Sequence, residues 1–393
     1  MKLGLSLCGG GAYGAYEQGI HRYLHENKYK FDAITGTSIG ALNAAMIATS
    51  SFEVAENLWR NITVEDVIKG GLDIDETLLE NFSIKRDSKF QKLVRAYIKN
   101  GGADITPLIK LVKKTIGPMD FKHLDTKVGV VVTKYPGFAE EDILLNDLPK
   151  GKVPDYLIAS ASCFPAFPIY NIGKNRYADG GWKNNLPVDY CFSLGADKVI
   201  AVLLESFPTA QKQEYLSLPN VTLIRPSSVY GKMLSFKHDE IVKNMETGYL
   251  DATKILGDHK GYKYTFTSNK SLNVLADKHM SLLTRFGAKV ALKNINYLFE
   301  DVTWDMPITA LNVFLLNLER VMDLFEMDKF KVYGIEQASK YLFGMISTYD
   351  NNEEDEYNKE KLNLASLFWK QKEASLKSEC SVLDKVFIDT FIN

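Results

Sequence analysis

Two stretches near the start of this 393-residue chain have the residue types and spacing for attack on a carbonyl carbon. Gly36-Thr37-Ser38-Ile39-Gly40 sets a serine among glycines at the junction of an apolar strand and a helix. Small residues on both sides allow a turn sharp enough to thrust the serine hydroxyl out at the strand end as a nucleophile. The helix that begins at Ile39 aims its N-terminal amides and positive dipole end at the place where negative charge develops. Such a string also occurs in ordinary loops, so the strand-to-helix context gives it meaning. The second stretch, Gly9-Gly10-Gly11-Ala12-Tyr13-Gly14, again separates a strand from a helix. Successive glycines let the main chain approach a substrate with its N–H groups turned inward. Gly9, Gly10, Gly11 and Ile39 are therefore the candidates for an oxyanion hole.

Two rival chemistries use overlapping residues. Gly9-x-Gly11-x-x-Gly14 fits a dinucleotide fingerprint, and Asp32 lies at about the distance of a ribose-binding acid. That acid belongs at the end of the second strand, however, and Asp32 stands at its beginning, with the serine turn occupying the end. A serine-histidine-aspartate triad would need one of six histidines, His21, His25, His123, His238, His259 or His279, and none sits in a recognisable catalytic turn. His21 and His25 share a helix face at metal-ligand spacing, but no third ligand accompanies them, so they read as an ordinary helix face.

The elements that must position these residues alternate. Lys2 to Cys8 reads as a strand, Ala12 to Asn27 as a helix, Phe31 to Thr35 as a strand and Ile39 to Ser50 as a helix. This order predicts a mainly parallel sheet covered on both faces, a three-layer α/β/α fold with functional loops at the carboxyl ends of the strands. A helical cap is expected as an insertion over about 62–120, including a helix capped by Thr106 with Pro107 in its first turn. Strands resume at Val128 to Thr133, around Arg176 to Ala178, at Lys198 to Leu204 and at Val221 to Ile224, with helices near Asp155 to Ala161 and Val188 to Leu194. Beyond about Phe236 the pattern is helical. There Ile308, Leu311, Leu315, Leu318, Met322 and Phe325 share one face, and the acidic run Asn351 to Glu356 reads as a solvated connector.

The order of strand, Gly-Gly-Gly-x-x-Gly loop, helix, strand and Gly-x-Ser-x-Gly elbow resembles the patatin-like phospholipases. The resemblance implies a downstream Asp-Gly-Gly, present as Asp179-Gly180-Gly181 and preceded by a family-like segment, Ala159-Ser160-Ala161-Ser162-Cys163-Phe164-Pro165-Ala166-Phe167-Pro168. It runs to about Leu256, near Gly248-Tyr249-Leu250-Asp251-Ala252. It thus implies a catalytic domain over 1–256, leaving 257–393 as a mainly helical extension of unknown role. It further implies a lipid acyl hydrolase of the phospholipase A or lysophospholipase type. Ser38 would be nucleophile, Asp179 base, and Gly14, Gly36, Gly40, Gly180 and Gly181 motif glycines, with no cofactor or metal. Physical reasoning agrees: a carboxylate on a glycine-flanked turn reaches a neighbouring hydroxyl unobstructed, and partial dehydration makes it a stronger base. Tyr13 stands where the family usually has a basic residue. A preference for neutral or zwitterionic esters is therefore expected, with Tyr13→Arg shifting it toward anionic lipids.

The bulk numbers limit the other classes. A composition of 46% hydrophobic and 24% charged residues is that of a folding globular chain. A net charge of −2 gives no field to draw in nucleic acid. Cys8, Cys163, Cys191 and Cys380 form no closely spaced pair and read as reduced thiols. The early glycines interrupt any signal-like apolar run, so a cytoplasmic protein is expected. Lys85, Arg86, Lys89, Lys92, Arg95 and Lys99, interleaved with apolar residues, form either an ordinary surface helix or a peripheral membrane contact. The remaining rivals to a hydrolase acting on a lipid ester substrate are a nucleotide-binding oxidoreductase and an inactive lipid-binding module on the same fold.

Overall fold

The computed structural model describes residues 1–49, 52–70, 102–149, 151–204, 213–349, 358–370 and 379–392. The chain divides into two compact units, Met1–Tyr249 and Leu250–Asn393.

The first unit opens with β1 (Leu3–Leu7), α1 (Gly14–Glu26), β2 (Ala33–Thr37), α2 (Ile39–Ala48) and α3 (Phe52–Asn61). It continues through α4 (Thr106–Thr115), β3 (Lys127–Tyr135), β4 (Ala139–Leu144), α5 (Val153–Ser160), β5 (Tyr170–Ile172), β6 (Asn175–Asp179) and α6 (Val188–Ser193). β7 (Lys198–Val202), the short α7 (Gln213–Leu216), β8 (Val221–Ile224) and α8 (His238–Ile255) follow, and the unit boundary falls inside α8. The sheet order is β5-β6-β3-β2-β1-β7-β8, with β4 also paired to β3. Strands β1, β2, β3, β7 and β8 are mutually parallel, and β4, β5 and β6 add antiparallel pairings.

The parallel strands are apolar without alternation because both faces are covered. All of Ala33–Thr37 is buried, as are residues 128–133 of β3. Neighbouring residues of β2 show which helix covers which face. A Cβ at Gly36 would lie 2.2 Å from the Gly40 carbonyl oxygen of α2, whereas the Thr35 hydroxyl on the opposite face donates to the Pro187 carbonyl at the start of α6. Helices α2 and α6 therefore lie on opposite faces, which makes three layers. Helix α1 meets α8 at two glycines: a Cβ at Gly19 would stand 1.9 Å from the Met245 carbonyl oxygen, and one at Gly248 2.0 Å from that of Tyr16. Arg22 clasps Glu246 across the same crossing with bonds of 2.9 and 2.8 Å.

Several expectations change here. Thr106 does not cap α4. Ile105 does, and the Asp104 carboxylate takes the Thr106 N–H at 2.9 Å, with Pro107 in the first turn. Val64–Asp66 is only a short 3-10 turn. Of the expected cap, residues 71–101, and with them the basic segment Lys85–Lys99, lie outside the described residues.

The second unit, after the last turn of α8, holds β9 (Thr265–Phe266), α9 (Lys270–Thr284), α10 (Ala288–Phe299), α11 (Ala310–Leu324), β10 (Val332–Tyr333), α12 (Ile335–Thr348), α13 (Asn358–Lys370) and α14 (Glu379–Ile392). Its core gathers on α11, where Leu315, Leu318 and Met322 are fully buried. Ile308 is 59% exposed and precedes that helix, whose Thr309 cap accepts the Asn312 N–H at 3.2 Å. The acidic run Asn351–Glu356 lies outside the described residues. Among the described residues, no helix is long and apolar enough to cross a membrane.

Candidate active site

Ser38 stands between β2 and α2 with φ 55° and ψ −123°, in the left-handed half of backbone space that a non-glycine residue occupies only when its surroundings hold it there. The neighbouring glycines allow the turn: a Cβ at Gly40 would lie 2.5 Å from the Leu7 carbonyl oxygen, and Gly36 meets Gly40 as described. A buried hydroxyl fixes it. The Ser38 N–H donates to Ser160 Oγ at 2.9 Å, and Ser160 Oγ donates in turn to the Val131 carbonyl at 2.7 Å. Next to it, the Thr37 hydroxyl donates to the Asn184 carbonyl at 2.8 Å.

Asp179 ends β6, paired with Val132 of β3. Its N–H donates to the Ser162 carbonyl at 2.9 Å, and its own carbonyl accepts the Thr133 hydroxyl at 2.8 Å. The end of α5 and the residues just after it therefore hold both halves of the site, Ser38 through Ser160 and Asp179 through Ser162. Asp179 is 5% exposed, and burial raises its pKa to about 6 against the opposing effects of the Gly181 N–H, which donates to it, and of the Ser38 hydroxyl. The Gly181 bond is 2.7 Å. Gly180 has no room for a side chain, because its Cβ would stand 2.2 Å from the Val131 carbonyl oxygen.

The glycine loop departs from expectation at one position. The Gly9 N–H already donates to the Asn185 carbonyl at 3.1 Å, so Gly9 is not an oxyanion donor. Its place is steric: a Cβ there would meet Asn185 Oδ1 at 2.4 Å and Ser38 Cβ at 3.0 Å. Among the described residues, the N–H groups of Gly10, Gly11 and Ile39 have no protein acceptor. Gly11 takes φ +57° against the Met233 carbonyl, which also accepts the Ala12 N–H at 2.6 Å. Gly14 leaves room for Ile39, whose Cγ1 would lie 2.4 Å from a Cβ. Sequence reasoning missed Asn185, which is buried and donates from Nδ2 to the Gly9 carbonyl and to Cys8 Sγ, both at 3.1 Å. Its only signal was a polar pair, Asn184-Asn185, shortly after Asp-Gly-Gly. Tyr13 is not part of the cavity lining. Its hydroxyl donates to the Gly231 carbonyl at 3.1 Å, anchoring the loop.

Ser38, Asp179, Gly9, Gly10, Gly11, Ile39 and Gly181 converge on one cavity of about 370 Å³, within the ordinary range of small-molecule sites. Its walls are apolar, with Leu42, Met46, Trp59, Val112, Ile116 and Phe164 among them, and among the described residues Asp179 is the only charged one in the lining. Among the described residues, no histidine lines it. His21, 5% exposed, is pushed down to about 4 by burial and by His25, and His279 in the second unit falls to about 4 by burial and by Arg320. Among the described residues, no group of three or more His, Cys, Asp or Glu side chains could hold a metal ion. Asp32 accepts the Leu3 N–H at 2.9 Å, at the strand edge opposite the glycine loop, where no nucleotide spanning that loop could reach it. Behind the Trp59 wall, Glu17 is buried against Asn43, which also accepts the Trp59 indole N–H at 3.0 Å, and burial lifts its pKa to about 8.

The family model for patatin-like phospholipases matches residues 5–192. Triacylglycerol lipase 5 of Saccharomyces cerevisiae is 23% identical over 76% of this chain and 43% of its own length. Triacylglycerol lipase 4 of the same yeast is 25% identical over 53% of this chain and 25% of its own. The chain thus spans less than half the length of either. Among solved structures, VipD from Legionella pneumophila aligns over 99% of this chain and 91% of that one, with 13% identity and a TM-score of 0.43.

Proposed function

Residues 5–192 form a patatin-like phospholipase domain, and on that premise we propose that this chain hydrolyses carboxylic esters of lipids through an acyl-enzyme on Ser38. One observation carries the reading: a strained serine and a buried carboxylate, whose charge that serine's hydroxyl favours, line the same apolar cavity, with no histidine among the described residues of its walls.

The steps follow from that arrangement. The ionised Asp179 takes the Ser38 proton as Oγ attacks the acyl carbonyl, and the N–H groups of Gly10, Gly11 and Ile39 hold the oxyanion. Collapse expels the alcohol, which receives the proton from Asp179. Asp179 then removes a proton from water, which attacks the acyl-enzyme, and passes it to Ser38 Oγ as that oxygen leaves, releasing the fatty acid and restoring the ionised carboxylate. Apolar walls contribute about 0.8 kcal/mol per methylene of the acyl chain removed from water. With Asp179 the only charge in the lining among the described residues, an anionic group close to the ester is repelled. Neutral or zwitterionic esters are therefore the preferred substrates, a choice that the lining makes and not Tyr13. The yeast relatives carry the name of a lipase acting on a neutral ester, which supports the same substrate class.

The test is mass spectrometry of a lipid extract incubated with wild-type protein and with Ser38→Ala, together with fluorophosphonate labelling. Wild-type protein releases fatty acid and is labelled; the variant does neither. Equal turnover by a folded Ser38→Ala protein would overturn the reading.

A further inference from the structure

The mouth of the cavity continues into an exposed aromatic and basic rim on the first unit, and we infer that this rim is the docking surface for an anionic lipid interface. The inference rests on the ester-hydrolase reading, since it takes the cavity as the substrate site. Trp182 lines the cavity and yet keeps 47% of its surface exposed. Its ring meets Phe138 edge-on at 5.7 Å, Phe138 meets Tyr135 at 5.6 Å, and Tyr135 meets Phe164, itself a cavity wall, at 6.3 Å. Four rings thus run from the cavity to the turn between β3 and β4.

That turn lies beyond the catalytic level. Tyr135 is three residues past Val132, the partner of Asp179, which places it roughly 10 Å farther along the strand. Pro136 and Gly137 are exposed, and a Cβ at Gly137 would meet nothing within 4 Å. Phe138, at the end of the turn, has φ 53°, a conformation that costs a bulky residue about 1–3 kcal/mol. Its phenyl group is only partly buried, against Tyr135 and Trp182.

Positive charge surrounds the rings. The Arg176 guanidinium lies 4.8 Å from the Tyr135 ring centre. Lys134 precedes the turn, Lys174 occupies the neighbouring hairpin tip of β5 and β6, and Lys183 follows Trp182, all of them exposed. The nearest carboxylate along the strands, Glu140, accepts from Asn184 Nδ2 at 3.0 Å, while Glu141 and Asp142 lie farther back, opposite Val132 and Val131. A local cationic surplus in a chain of net charge −2, wrapped around aromatic side chains at a cavity mouth, matches the headgroup layer of an anionic membrane. There, rings with a polar edge lie at the interface and Lys and Arg stems snorkel to phosphate.

The experiment is cosedimentation of the full chain carrying Ser38→Ala with vesicles of phosphatidylcholine alone or mixed with phosphatidylglycerol. The expected result is binding to the mixed vesicles, weaker binding to phosphatidylcholine, and release by salt. Adding Lys174→Glu should weaken binding at least about fivefold, and adding Phe138→Ser at least about tenfold. In the Ser38 background neither change should alter kcat/KM on a short soluble p-nitrophenyl ester. Because binding is read without turnover, loss of the hydrolase reading would leave this result standing. Equal vesicle binding by parent and both variants would overturn the inference, as would equal affinity for the two vesicle types. Self-association removed by Phe138→Ser, with no vesicle binding, would assign the rim to a second copy of the chain and overturn it too.

Discussion

Asp179→Asn should stabilise the folded protein while abolishing its activity. Burial lifts the carboxyl from its ordinary 3.8 to about 6, about two pH units at 1.36 kcal/mol each, so holding the charge inside costs roughly 3 kcal/mol at neutral pH. The folded chain keeps this proton more tightly than the unfolded one. Between about pH 4 and 6 the unfolded state ionises first and wild-type stability falls; above 6 both states are ionised and the full cost stands. Asparagine carries no charge, its Oδ1 can still accept the Gly181 N–H, and its amide can donate to Ser38 Oγ. Calorimetry at pH 8 should therefore find the variant more stable, with Tm higher by roughly 6–12 °C for a unit of this size. The gap should shrink as the pH drops through 6 and close near 4. A gap of the same size at pH 4.5 and 8, or a variant less stable at pH 8, would refute the claim that burial burdens this carboxylate.

Other outcomes follow from the same geometry. The profile of kcat/KM should fall as pH drops through about 6, where Asp179 gains the proton that stops it acting as base, and single His→Gln changes should leave turnover within about threefold. Ser160→Ala strands the Ser38 N–H and the Val131 carbonyl, costing about 1–3 kcal/mol for each group left unpaired. Kinetics should show kcat reduced more than KM is changed, because the nucleophile turn loosens while the cavity keeps its walls. Tyr13→Arg should leave the ratio of kcat/KM for matched neutral and anionic esters within about twofold, since Tyr13 bonds Gly231 outside the lining; a large shift toward anionic esters would restore the expectation drawn from the sequence.

What the sequence made legible was local. A glycine run after an apolar strand, and a serine between glycines before a helix, announce themselves because each is a backbone conformation that few residues tolerate. The strands β2 and β3 and the elbow follow from that logic. The scaffold behind them left no comparable mark. Ser160, Thr37 and Thr133 are buried hydroxyls whose partners are main-chain groups distant in sequence, and a hydroxyl of that kind reads like any other in a helix or strand. The Gly9 error has the same origin: composition shows that a glycine can present its N–H to a ligand, but only tertiary placement shows that Asn185 has already taken it. Nor could the rim be read. Trp182 follows a motif glycine, and Phe138 sits in a turn whose neighbours suggest nothing apolar; the antiparallel pairing of β6 with β3 brings them together. The order of elements determined where charge must develop, and long-range pairing determined which surface the cavity opens onto.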